Sequence, residues 1–269
     1  MSAHRARTHR LIGMAGGPAE ILRSGARHVG AALFLVGVGV GCGVVPQGLA
    51  VAAHTDVAGS AATWSTDTAA GAGLSLGHLT SFALFAGSAI VDGTGVTSVT
   101  GNVGADSGAV TGFSGGDITG AIDRETELTQ TAHAAGAQLT STLADLPSST
   151  RDAVLSGTVG AGTYANDTGF LIEGLLTLDG GGDPAAMFVF TAPSLASAAD
   201  SEVVLVNGAS AKNVFWCVSG TAELGTDSDL RGTVIAEQSI VAGSGALVVG
   251  RLVALSGSVT TSHGMIVLP

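Results

Sequence analysis

From Ser201 to Pro269 the chain reads SEVVLVNGASAKNVFWCVSG (201–220), TAELGTDSDLRGTVIAEQ (221–238), SIVAGSGALVVGRLVALSG (239–257) and SVTTSHGMIVLP (258–269). These are loose copies of one 18- to 20-residue unit, the last of them truncated. Phe215-Trp216, Val234-Ile235 and Leu252-Val253 hold equivalent places, and so do Gly232 and Gly250. A fixed period near 20 residues marks a stacked, solenoid-like architecture in which each repeat buries its apolar face against its neighbours. Stacked strands of equal length present long flat faces. Function is therefore to be sought on a surface before a pocket.

The whole chain suits that architecture. Its 269 residues include 42 glycines, 46% are hydrophobic, and only 12% are charged. Disorder needs low hydrophobicity and high charge, which this composition lacks. Glycine among Val, Thr, Ser and Ala fits short strands joined by tight turns. Strand-like runs start at 81–86, 89–91, 96–99 and 109–111, and resume at 155–159, 171–178 and 187–191. Between them, 118–146 has almost no punctuation, and Leu128, Ala132, Ala135, Leu139, Leu143 and Leu146 recur at spacings of three and four. That predicts one amphipathic helix, with Asp117 or Thr119 as its cap and Pro147 beyond its end. Gly136 in mid-helix predicts a close approach there. The expected fold is mostly β: a right-handed, three-sided β-solenoid with one long helix packed along one flank.

Charge is distributed unevenly. Residues 1–52 carry five arginines against Glu20, so the −11 of the whole chain leaves about −15 on the remainder. An acidic body with Lys212 as its only lysine repels phosphate backbones and excludes nucleic acid as a partner. The basic start, the apolar run at 30–45 (GAALFLVGVGVGCGVV), Pro46 and the small residues at 50–52 predict a signal peptide over 1–52. A retained membrane anchor is the alternative. Residues 53–73 read as a flexible lead-in to a single domain at 74–269. Once 1–52 is removed only Cys217 remains, so no internal disulfide is expected, and its apolar strand makes it a small buried hydrophobe.

Catalytic and metal-binding patterns are missing. His78, His133 and His263 show no ligand spacing. Asp179-Gly180-Gly181-Gly182-Asp183 occurs once, without the tandem copies of calcium-binding β-rolls, and reads as a turn. Glu223, Asp227, Asp229 and Glu237 form no evident acid pair, and no nucleophile motif or phosphate loop is present. A solvated polar face accounts for them.

Several segments together carry a resemblance: LGHLTSFALFAGSAI (76–90), VTGNVG (99–104), GTYAND (162–167), LLTLDGGGDPAAMFVF (175–190), VLVNGASAKNVFWCVSGTAELGT (204–226) and GALVVGRLVALSGSVT (245–260). In these, and in their order, the chain resembles the microbial ice-binding (antifreeze) protein family over about residues 74–269. The resemblance implies a solenoid whose coils are out of sequence order. It implies a secreted, monomeric, non-enzymatic protein that takes no cofactor or small-molecule substrate and adsorbs to ice crystals through one flat face, inhibiting growth and recrystallisation. The alternative is a cell-surface adhesive or structural solenoid that binds glycan or protein. Members of the family show T-G/A-x-T/N-like steps on the ice face. Thr94-Gly95-Val96-Thr97 matches, while TAEL (221–224) and SGAL (244–247) hold such places without the final Thr or Asn. The candidate contact residues are Thr94, Thr97, Thr111, Thr221, Ser244 and Ser256.

Overall fold

The computed structural model describes residues 68–69, 74–93, 96–115 and 117–269. The segment 1–52 and most of 53–73 lie outside them, as does Thr94. Within the lead-in, Thr68–Ala69 pairs antiparallel with Leu74–Ser75. Among the described residues no helix is long and apolar enough to cross a membrane.

All other strand pairing is parallel and falls into three ladders. One runs through Ser149–Thr150, Gly162–Ala165, Phe188–Ala192, Val214–Val218, 233–236, 251–254, Phe82–Ala86, Asn102–Ala105 and Ile122–Arg124. A second, of short strands, runs through 154–155, 170–172, Leu195–Ser197, Ala222–Leu224, Ile240–Ala242, Val259–Thr261, Ile90–Asp92 and Val110–Thr111. The third holds 157–160, 175–179, Glu202–Val206, 229–231, 247–249, Met265–Val267 and Ser98–Thr100, with Ile118 bridged to Val99. The chain thus winds as a three-sided coil.

The coils are out of sequence order. The C-terminal coil stacks on the N-terminal one, with Leu252 opposite Leu84, Val259 opposite Ile90 and Met265 opposite Ser98. The chain then climbs to Ile122–Arg124 at one end and must return to Ser149–Thr150 at the other. Nine rungs along that first ladder, about 4.8 Å apart, span about 38 Å. An 18-residue helix covers about 27 Å of that at 1.5 Å per residue, and a few extended residues at each end cover the rest. The helix is the return path.

It runs over Glu127–Ala144, shorter than the predicted 118–146. Its cap is Thr126, in place of Asp117 or Thr119: the N–H of Thr129 donates to Thr126 Oγ1 and the N–H of Thr126 donates to Thr129 Oγ1. The missing residues were claimed by the solenoid. Ile118 bridges Val99, Ile122–Arg124 forms the last rung, and Glu125 turns with φ +54°. Thr129, Ala132, Gly136, Leu139 and Leu143 face inward. A Cβ on Gly136 would stand 2.6 Å from Leu255 Cδ2, which bears out the close approach read from its glycine.

Two apolar cores result. Inside the coils lie Leu84, Val103, Leu178, Phe190, Trp216, Val234, Leu252 and their neighbours. Between coil and helix lie Phe82, Phe85, Val189, Phe215, Cys217, Ile235 and Val253. Alternation along each strand of the first ladder divides its residues between these cores. Inside the coil, Trp216 stacks on Phe190 at 4.3 Å, and Phe190 on Tyr164 at 5.4 Å. Arg151 lies over the Tyr164 ring and closes that end. The repeat's equivalent glycines, 232 and 250, mark the bend into the first ladder. A Cβ on Gly250 would fall 1.7 Å from the Gly232 carbonyl oxygen, so no other residue fits that stack.

Candidate functional site

The three faces differ in what they offer a partner. The first ladder's outer side is closed by the helix. Facing it, the Cys217 thiol is pushed up to about 11 by burial, with Thr140 opposing that shift and Glu237 adding to it. The third face carries charge at Glu202, Asp229 and Arg231 and bulky exposed side chains at Leu175 and Met265. Glu202 and Asp229 are neighbours across the ladder, and Arg231 Nη2 meets Asp229 Oδ2 at 2.6 Å. Burial, opposed by Arg231 and aided by Glu202, raises the Asp229 carboxyl above its usual range.

The short-strand face is different. Three of its strands are buried–exposed–buried triplets, Ala222-Glu223-Leu224, Ile240-Val241-Ala242 and Ile90-Val91-Asp92, and in Leu195–Ser197 and Val259–Thr261 the middle residue is half-buried. The central residues align in register as Val154, Leu171, Ala196, Glu223, Val241, Thr260, Val91 and Thr111. Alternation places a second row, Ser194, Thr221, Ser239, Ser258, Ala89 and Ala109, one step earlier on the same side. Nearly every side chain in both rows is small, a methyl or a hydroxyl. Triplets this short have little length over which to twist, and each is held to the next by parallel hydrogen bonds.

The predicted contact residues scatter around this face. Thr111 and Thr221 lie on it, both exposed. Ser244 and Ser256 are exposed on turns at its two opposite corners, with Ser256 Oγ donating to Glu237 Oε1 at 2.9 Å. Thr97 is corrected: it is fully buried. Its N–H and Oγ1 both donate to the Asp92 carboxylate at 2.9 Å, and Oγ1 accepts from the Gly264 N–H, so its polar groups tie the corner loop to the coil. The T-x-x-T spelling marked a loop anchor there. The rows through Thr260, Val91, Ser239 and Ser258 were missed. The signal was present, because TAEL, SIVA, SVTT and AIVD all start one residue before a triplet whose two outer members are buried and whose middle residue is exposed or half-buried.

Other candidate chemistry resolves into structure. Asp179 Oδ1 accepts from the Gly181 N–H and Asn207 Nδ2, which hold its carboxyl below the usual range and make 179–183 a stapled turn. His133 Nδ1 lies 2.9 Å from Asp106 Oδ2 and ties helix to coil. Among the described residues no group of three His, Cys, Asp or Glu could hold a metal ion.

A flat parallel face on a helix-backed solenoid with this coil order defines the class, and comparison with known proteins identifies it. The model of the ice-binding-like family matches residues 84–267. The chain is 33% identical over 191 residues to an ice-binding protein from Nostoc sp., covering 69% of this chain and 70% of that one. It is 44% identical over 92 residues to ice-binding protein 1 of Shewanella frigidimarina, 34% of this chain but only 10% of that longer relative. The crystal structure of an ice-binding protein from the Antarctic ascomycete Antarctomyces psychrotrophicus superposes with a TM-score of 0.69 at 36% identity, covering 72% of this chain and 97% of that one. The chain belongs to the ice-binding-like family.

Proposed function

We propose that this protein adsorbs to ice through the short-strand face and thereby slows ice growth and recrystallisation, acting as a binder and not an enzyme. The observation that carries the reading is the register of that face. Parallel strands repeat every 4.7–4.9 Å, close to distances in the ice lattice, and here each step presents a methyl or hydroxyl group. Thr and Val are β-branched and restricted in χ1, so little side-chain freedom remains to be lost on contact with a solid. Replacing Thr260, which stands between Val241 and Val91 in the row, with Tyr would lift the face off the crystal. We expect Thr260→Tyr to lose most thermal hysteresis and recrystallisation inhibition with its circular dichroism unchanged; full retention of activity would move the site to another face.

The basic start and apolar run before the domain support export as a secreted protein. Mass spectrometry of protein from the culture medium would then find an N-terminus near residue 53. A chain still beginning at Met1 and held on cells would support the anchored alternative.

A further inference from the structure

The short-strand face is divided. Along its central row one member is charged: Glu223 stands between Ala196 and Val241 as its Cα neighbours, exposed, with Ala222 and Leu224 pointing into the core on either side. No hydrogen bond or ion pair from another described residue reaches its carboxylate. On one side of it, Val241, Thr260, Val91 and Thr111 continue the row with Ser239, Ser258, Ala89 and Ala109 beside them. That stretch is free of charge along both rows. On the other side lie Ala196, Leu171 and Val154, where Leu171 is bulky and the exposed Glu173 follows Ile172 on the outward side.

We infer that Glu223 is the boundary and the limiting residue of the ice-contact area, which occupies the half of the face from Val241 to Thr111. This rests on the adsorption reading above. A carboxylate holds its own water shell strongly, and stripping that shell without a paired cation is costly. The interior of a rigid contact cannot accommodate it; a rim can. Ice has no counter-charge to offer and no flexibility with which to solvate the group. The crystal therefore seats against the uncharged half and leaves Glu223 at the edge. Removing the charge joins Ala196, Ser194 and Thr221 to the contact and lengthens it by about two strand steps, roughly 10 Å.

The test measures thermal hysteresis of the full-length protein and its variants at equal concentration, with thermal unfolding as the check on folding. Glu223→Thr is expected to raise hysteresis about twofold or more. Glu223→Gln, which removes charge but keeps size, should give a smaller rise, and it also serves if the Thr variant fails to fold. Ala196→Tyr should cost less activity than Thr260→Tyr in the native background, yet cancel the gain in Glu223→Thr. If Thr260→Tyr abolishes activity while both folded Glu223 variants stay at or below the native level, the boundary is overturned and the face stands. If Thr260→Tyr leaves activity intact, the face itself is wrong and the boundary falls with it.

Discussion

At the scale of single residues, Cys217 is a titratable group that burial strongly perturbs. Cys217 was expected to be a buried hydrophobe, and it lies between the coil and the helix. Its thiol is raised from 9.0 to about 11, mainly by burial. The unfolded chain ionises it in that interval while the folded protein resists, so the stability it contributes is whole below pH 9 and is lost as pH rises through about 11. Two pH units correspond to roughly 3 kcal/mol. Chemical denaturation between pH 8 and 11 should show that decline, and Cys217→Ala should flatten it. Thr97 taught the opposite lesson. A hydroxyl beside glycine is equally suited to a wet surface or to a buried carboxylate, and only the fold placed Asp92 next to it. Glu223 was read in the sequence as one acid of a solvated polar face; its place between Ala196 and Val241 requires the register.

At the scale of elements, periodicity located the helix and overran its start by nine residues, from 118 to 127. Ile118 and Ile122 fit a helical stripe as well as a strand, and the ladder's demand for partners decided between them. Thr126, which makes the reciprocal cap, was not singled out, because its partner at the third position is Thr129 in place of the usual Glu or Gln. Thr126→Ala should cost about 1 kcal/mol in unfolding free energy without altering the face. Gly136 gives a sharper case. Gly136→Val would drive methyl groups into Leu255 and Leu79 and lift the helix, at about 2–3 kcal/mol by calorimetry, although valine forms helix more readily than glycine. An unchanged or raised melting temperature would show that the helix rides higher than described.

At the scale of the whole molecule, the terminal repeats announced the stack, but no local signal said that Leu84 would meet Leu252. That pairing is set by which exposed coil edge is available once the helix has carried the chain back, a property of the complete fold. Deleting 258–269 would remove Val259–Thr261 and Met265–Val267, and with them the partners of both flanking coils. A loss of several kcal/mol should follow, lowering the melting temperature on the order of 10 °C. The same seam joins parts of the chain that lie far apart in sequence. Thr80 accepts from Arg251 across 171 residues, and Thr97 meets Gly264 across 167. During synthesis the coil at 82–100 therefore leaves the ribosome with one edge bare until its neighbour at 251–267 follows. Contacts this distant in sequence form slowly. The two halves of the uncharged stretch, Val241 with Thr260 and Val91 with Thr111, lie far apart in sequence and meet only once both have been synthesised. A chain that lacks its C-terminal coils has no continuous uncharged stretch along this side.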